Sequence, residues 1–206
     1  MYWRCFVGVL TREMLKFWQQ RTRLLSALVR PLLWLFVFAA GFRSALGLSM
    51  TEPYESYILY EEYIVPGLAA MIVLFNSMQS SLSMVYDREM GSMKVLLLSP
   101  VPRPFLLGSK LIANTLVSAI QVYIFFAFAL LLDVRLSALG YVYALPVIAL
   151  LSLFLGSLGL LLANYIKQLE NFAGVMNFVI FPLFFLSSAL YPLWKMREAS
   201  EWLYQI

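Results

Sequence analysis

Residues 139–164 read LGYVYALPVIALLSLFLGSLGLLLAN, without a single charged side chain. A run of about 20 mainly apolar residues makes a helix long enough to cross the roughly 30 Å hydrocarbon layer of a bilayer. A helix also keeps its backbone N–H and C=O groups paired within the segment, which lipid demands. Working outward from this stretch, similar runs occupy 107–132 and 171–192 on either side, with 64–86 and 25–47 before them. The whole chain of 206 residues is 62% hydrophobic and 13% charged, with a mean hydropathy of +0.81. Soluble domains average about half apolar and a quarter charged residues, so one aqueous core does not account for this excess. The expectation is an all-α, polytopic membrane helix bundle of five spans, forming a single domain over residues 1–206. The span at 25–47 is the least apolar, because Arg30, Pro31 and Arg43 fall inside it. Arginines near a helix end can carry their charge out to the headgroups.

Charge placement orients the bundle. Eleven of the 15 basic residues lie on one side: nine before the first span, between spans two and three or between spans four and five, with Arg30 and Lys110 at the adjoining span edges. The remaining four, Arg43, Arg135, Lys195 and Arg197, fall on the other side. Basic residues gather on the cytoplasmic side of membrane proteins, which puts the N-terminus in the cytoplasm. Glu52, Glu55, Glu61 and Glu62 then belong to the first external loop. Residues 193–206 mix Trp194, Trp202 and Tyr204 with charges, the composition of an external interfacial segment.

Residues 1–23 lack the apolar core of a signal peptide. Instead Trp3, Phe6, Val7, Leu10, Met14, Phe17 and Trp18 recur at helical spacing, with Arg4, Arg12, Lys16, Gln19 and Arg23 mostly elsewhere around the helix. This describes an amphipathic helix in the membrane interface, its basic face toward anionic lipid. A juxtamembrane leader that orients the first span has the same pattern, and both roles are compatible.

Several chemistries are absent. Histidine does not occur, which removes imidazole metal ligation and Ser-His or Cys-His catalysis. Cys5 is the only cysteine and reads as a small apolar residue. Gly108-Ser109-Lys110-Leu111 is not a phosphate-binding loop, since its lysine does not follow glycine directly and no Ser or Thr comes after it. Gly156-Ser157-Leu158-Gly159 reads as close helix packing. No carboxylate pair lies within a span, which argues against a proton-driven carrier. The polar residues inside spans, Asn76, Gln79, Asn114, Gln121, Asn164 and Asn177, are candidates for a substrate path or for hydrogen bonds between helices. Phe178, Phe181, Phe184 and Phe185 either line such a path or pack against neighbours and lipid.

The connection between spans two and three carries the most information. Asp87-Arg88-Glu89 opens it, Met90, Met93 and Leu97 form an apolar stripe at i, i+3 and i+7, and Ser99-Pro100-Val101-Pro102-Arg103-Pro104 stops any helix. The pattern predicts a short amphipathic helix at the cytoplasmic surface, with methionines as an adaptable docking face. An ordinary inter-helix loop, kept in water by its charges, fits the same residues.

In order along the chain, several segments resemble the membrane-spanning permease subunit of ABC-2 type ABC transporters, which are mostly export systems. These are Arg30-Pro31-Leu32-Leu33-Trp34 with Phe38-Ala39-Ala40-Gly41-Phe42, then Tyr63-Ile64-Val65-Pro66-Gly67, Asp87-Arg88-Glu89-Met90-Gly91, Ser99-Pro100-Val101-Pro102-Arg103, and Asn177 with Phe181-Pro182-Leu183-Phe184-Phe185-Leu186-Ser187-Ser188-Ala189-Leu190-Tyr191-Pro192. The resemblance implies six spans in the family, the sixth lying past the point matched by 193–206. It implies that the segment around 87–103 is a cytoplasmic coupling helix docking into a separate ATP-binding subunit, with Asp87, Arg88, Glu89, Met90, Gly91 and Met93 as the contact residues. Residues 1–23 would be the connector helix. Two permease copies, a homodimer, would work with two ATPases, and ATP and Mg would be bound by the ATPases, leaving this chain without a cofactor and without enzymatic activity. A substrate path near the dimer interface would draw on Asn76, Gln79, Gln121, Asn177 and Phe181. The expected setting is the inner (plasma) membrane, with lipid around the protein and no nucleic-acid partner. A permease-like structural subunit of another membrane complex is the alternative.

Overall fold

A computed structural model describes residues 2–19, 28–37, 60–91, 101–132, 134, 137–166, 168–186 and 189. Six helices occupy these residues, and no strand occurs among them: α1 (Tyr2–Gln19), α2 (Leu28–Val37), α3 (Tyr60–Glu89), α4 (Arg103–Leu131), α5 (Ala138–Tyr165) and α6 (Leu169–Leu186). The fold is the all-helical bundle that the apolar runs predict. Among the described residues, α3, α4 and α5 are long and apolar enough to cross a membrane. Arg43, Met93 and residues 193–206 lie outside the described residues.

The core is built by α3, α4 and α5 packed side by side, with α6 along α3 and α1 along α4. Ile64, Val65, Leu68 and Val73 of α3 and Val122 and Phe125 of α4 are almost fully enclosed. Leu35 of α2, Ile148 of α5 and Phe184 of α6 join the same cluster. A second cluster, nearer the other end of α3, joins Met78 and Val85 to Ala163 and Phe172. Gly67 permits a close approach on this path, since a Cβ there would run into the backbone carbonyl of Ala189.

The most apolar of the three long helices is also the least buried. Only 22% of the apolar window of α5 is enclosed, against 61% for α3. Leu139, Val142, Val147, Leu150, Phe154 and Leu161 all face outward. Such a continuous apolar face is expected where the solvent is lipid rather than water. Arg30 has a second solution besides reaching the headgroups: its guanidinium stands over the Phe75 ring, 4.2 Å from the centroid, a cation–π contact that offsets part of its desolvation.

The N-terminal helix forms as its periodicity predicts, but two of its basic residues, Arg12 and Lys16, turn toward the bundle rather than outward. Tyr2 packs edge-on against Phe105, ring centroids 5.3 Å apart, near the start of α4. Phe17, buried, shares a small space with Asn76, Ala113 and Val117, about 18 Å further along α4 at 1.5 Å per residue. α1 therefore runs beside α4 and into the bundle. Trp3, Val7, Leu15 and Trp18 form its exposed stripe, while Arg12 and Lys16 turn toward α3. A carboxylate on α3 explains the reversal.

Candidate functional site

That carboxylate is Asp87. It is 6% exposed, and its Oδ2 lies 3.0 Å from the Arg12 guanidinium and 3.5 Å from the Lys16 ammonium. Lys16 also reaches Ser83 Oγ at 3.4 Å. The charged triplet thus belongs to the last turn of α3 and does not open a separate loop helix. α3 continues unbroken through Glu89 and stops at Gly91, whose φ of 73° only glycine adopts without cost. Helical spacing splits the triplet. Asp87 faces α1, and Arg88 donates to the carbonyl of Ala163 at 2.9 Å, in the last turn of α5, where the unpaired carbonyls of a helix end favour a cation. Glu89 and Met90 are exposed. Met93, the sixth proposed contact, lies with the rest of 92–100 outside the described residues.

Beside this node lies a cleft of about 260 Å³ where α1 and the ends of α3, α4 and α5 converge. Arg12 and Glu13, Asp87 and Arg88, and Arg103 and Lys110 line it, with Asn164 from α5. Val9, Met84, Leu106 and Leu107 supply its apolar walls.

A different polar cluster sits deeper. Asn76 Nδ2 donates to Ser118 Oγ at 2.7 Å and to the Asn114 side-chain oxygen at 3.3 Å. Asn114 Nδ2 donates to Ser77 Oγ at 3.1 Å and Ser152 Oγ at 3.2 Å, and Ser152 donates to Ser118 at 3.4 Å. All five residues are buried. They tie α3, α4 and α5 together about 16–23 Å from the helix ends near Asp87, counting 1.5 Å per residue. The adjoining space is about 10 Å³, barely the volume of one water.

The other candidates for a path are dispersed. Gln121 is 1% exposed, with its Oε1 lacking a hydrogen-bond partner among the described residues. Gln79, Asn177 and Phe178 are on the outside, Phe184 is buried in the core, and Asn164 faces the cleft. The side chains of Phe181 and Phe185 lie outside the described residues. The described residues do not bring Asn76, Gln79, Gln121 and Asn177 to one lining. Reading the chain alone missed Arg12 and Lys16 as partners of Asp87, and Ser77, Ser118 and Ser152 as partners of the asparagines.

A bundle with a long outward apolar face and helices long enough to cross a bilayer is the architecture of a membrane protein. The sequence profile described as ABC-2 type transporter matches residues 4–206, nearly the whole chain. The chain belongs to the ABC-2 type transporter family. It is 29% identical over 175 residues to a protein of Cyanophora paradoxa provisionally named transport permease ycf38, an alignment covering 82% of this chain and 58% of that one. It is 25% identical over 194 residues to the protein of the same name from Porphyra purpurea, covering 92% of this chain and 64% of that one. This ABC-2 chain thus spans less than two thirds of the length of these relatives. No solved structure matches it.

Proposed function

We propose that this membrane permease subunit serves an ATP-driven exporter, coupling ATP hydrolysis by a separate ATP-binding subunit to movement of its spans. The observation that carries this reading is the split of the triplet at the end of α3. Glu89 and Met90 are exposed for a partner, while Asp87 and Arg88, on the same helical turn, are bonded to α1 and α5. A push on the exposed side of this turn reaches three helices at once, because the turn cannot shift without carrying its ion pair and its carbonyl contact along. Asp87 and Arg88 thus act as transmitting residues, and Glu89, Met90 and Gly91 as the contact. Family membership supports the rest: two copies of the permease, two ATPases holding ATP and Mg, a multi-pass setting in the inner membrane and a cytoplasmic N-terminus.

The test is co-purification of the full chain with its ATP-binding subunit, followed by ATPase measurement in proteoliposomes. Glu89→Arg combined with Met90→Ala should reduce recovery of the ATPase by about tenfold, the effect of losing roughly 1.4 kcal/mol of binding, without changing the thermal unfolding of the permease. Full recovery of the ATPase with this variant would sink the proposed contact.

A further inference from the structure

We propose that the cleft between α1 and the ends of α3, α4 and α5 binds the phosphate of an anionic phospholipid, held between Arg103 and Lys110. Among the described residues, four cations line the cleft, Arg12, Arg88, Arg103 and Lys110, against two carboxylates, Glu13 and Asp87. The pairing among them is uneven. Asp87 is taken by Arg12 and Lys16, and Arg88 is taken by the Ala163 carbonyl. Arg103 and Lys110 make no hydrogen bond or ion pair with the described residues, although Lys110 is only partly exposed and sits beside the apolar Leu106 and Leu107. A half-buried ammonium with no directly bonded anion is costly; Glu13 and Asp87 attract Lys110 without touching it, and two carboxylates against four cations leave the described lining with an excess of positive charge.

Position and wall chemistry choose the anion. Arg103 opens α4, and Lys110 lies about 10 Å deeper along it, at 1.5 Å per residue. The headgroup layer outside the hydrocarbon is only about 5–8 Å thick in each leaflet, so the two cations bracket the level at which a lipid phosphate sits. The neutral wall is apolar and continues from Leu106 and Leu107 to Val9 and Met84, a surface for glycerol and the first methylenes of a lipid chain. A free phosphate ion would have nothing to do with that wall. Bound between α1 and α4, the lipid would bridge the N-terminal helix to the bundle at a further point, beside the Asp87 ion pairs and the Tyr2 and Phe17 contacts.

The experiment uses the full chain in a zwitterionic detergent, with native mass spectrometry and thermal unfolding as readouts. Phosphatidylglycerol should be retained at least tenfold better than phosphatidylcholine and should raise the unfolding midpoint. Millimolar inorganic phosphate should do neither. Lys110→Gln and Arg103→Gln should each abolish most of that preference, and Lys110→Arg should keep it. Lys110→Gln has a further signature that a misfolded variant cannot imitate. It removes a buried charge that Glu13 and Asp87 only partly offset, so the lipid-free protein should keep an unfolding temperature close to that of the native chain while losing its response to phosphatidylglycerol. Equal retention of the two lipids, an unaltered preference in Lys110→Gln, or equal stabilisation by inorganic phosphate would each overturn the proposal.

Discussion

The two polar clusters of this bundle share α3, α4 and α5, with α1 added at the outer one, and reach opposite ends of a range. In the deep one, Asn76, Asn114, Ser77, Ser118 and Ser152 are neutral, buried and mutually hydrogen-bonded, around a space of about 10 Å³. At the helix ends, charges surround an open cleft of about 260 Å³, and only some of them are paired. Neutral groups in lipid can close on themselves because each donor finds an acceptor on the next helix. Charges near the surface stay worth keeping only where a counter-ion, a partner or a ligand completes them. The deep cluster fixes how the helices stand, and the outer one is where the proposed partner and lipid would complete the charges.

The sharpest test of that contrast is Asp87→Asn, which keeps the shape but removes the charge that Arg12 and Lys16 share. Breaking a buried ion pair costs about 3–5 kcal/mol. With the Arg12 and Lys16 side chains 36% and 26% exposed, about 2–3 kcal/mol is expected here. Thermal unfolding in detergent should fall accordingly, and trypsin should gain access to Arg12 and Lys16 as α1 loosens. High salt should weaken the native protein in the same direction but leave the deep cluster untouched. An unchanged midpoint with α1 still protected would mean that Phe17 and Tyr2, not the charges, hold the helix. Next in size is Asn114→Ala, which leaves Asn76 and two serines short of partners. Hydrogen bonds between membrane helices are individually modest, so the expected loss is about 1–2 kcal/mol, independent of salt.

These clusters were unequally visible in the sequence. The helices were legible because lipid demands long uncharged runs, and 139–164 leaves little room for another reading. The asparagines were legible as polar residues within spans, yet their roles depended on registry. Asn76, Asn114 and Ser152 lie 11 to 13 residues from helix ends that meet on one side, so equal depth was a usable signal. The serines hid because a hydroxyl in a membrane helix usually bonds its own backbone, as Ser109 does to the Phe105 carbonyl. The inward turn of Arg12 and Lys16 was not legible at all. The spacing of apolar residues says that a helix has two faces, but not which face meets lipid, and here a single carboxylate 75 positions away decides it. The charged triplet read as the opening of a loop because charge normally ends a span. Packing against α1 and α5 let α3 carry it as one more helical turn.

The smallest expected effect probes whether the deep cluster is held by its hydrogen bonds or by the spacing of its helices. Gly156 of α5 faces α4, and a Cβ there would come 2.8 Å from Leu111 Cδ2 and 3.5 Å from Asn114 Nδ2. The first approach is too close, but its obstacle is the tip of a flexible side chain that can turn aside. The second is ordinary contact. Gly67 differs, since a backbone carbonyl blocks it and cannot rotate away. Gly156→Ala should therefore cost less than about 1 kcal/mol, below Asn114→Ala, with the gain in helix propensity offsetting part of the strain. A double-mutant cycle with Asn114→Ala should give a coupling near zero if the hydrogen bonds persist around the new methyl. A larger loss from Gly156→Ala than from Asn114→Ala would reverse the order: close approach of α4 and α5 would then be the primary constraint, and the asparagine network a consequence of it.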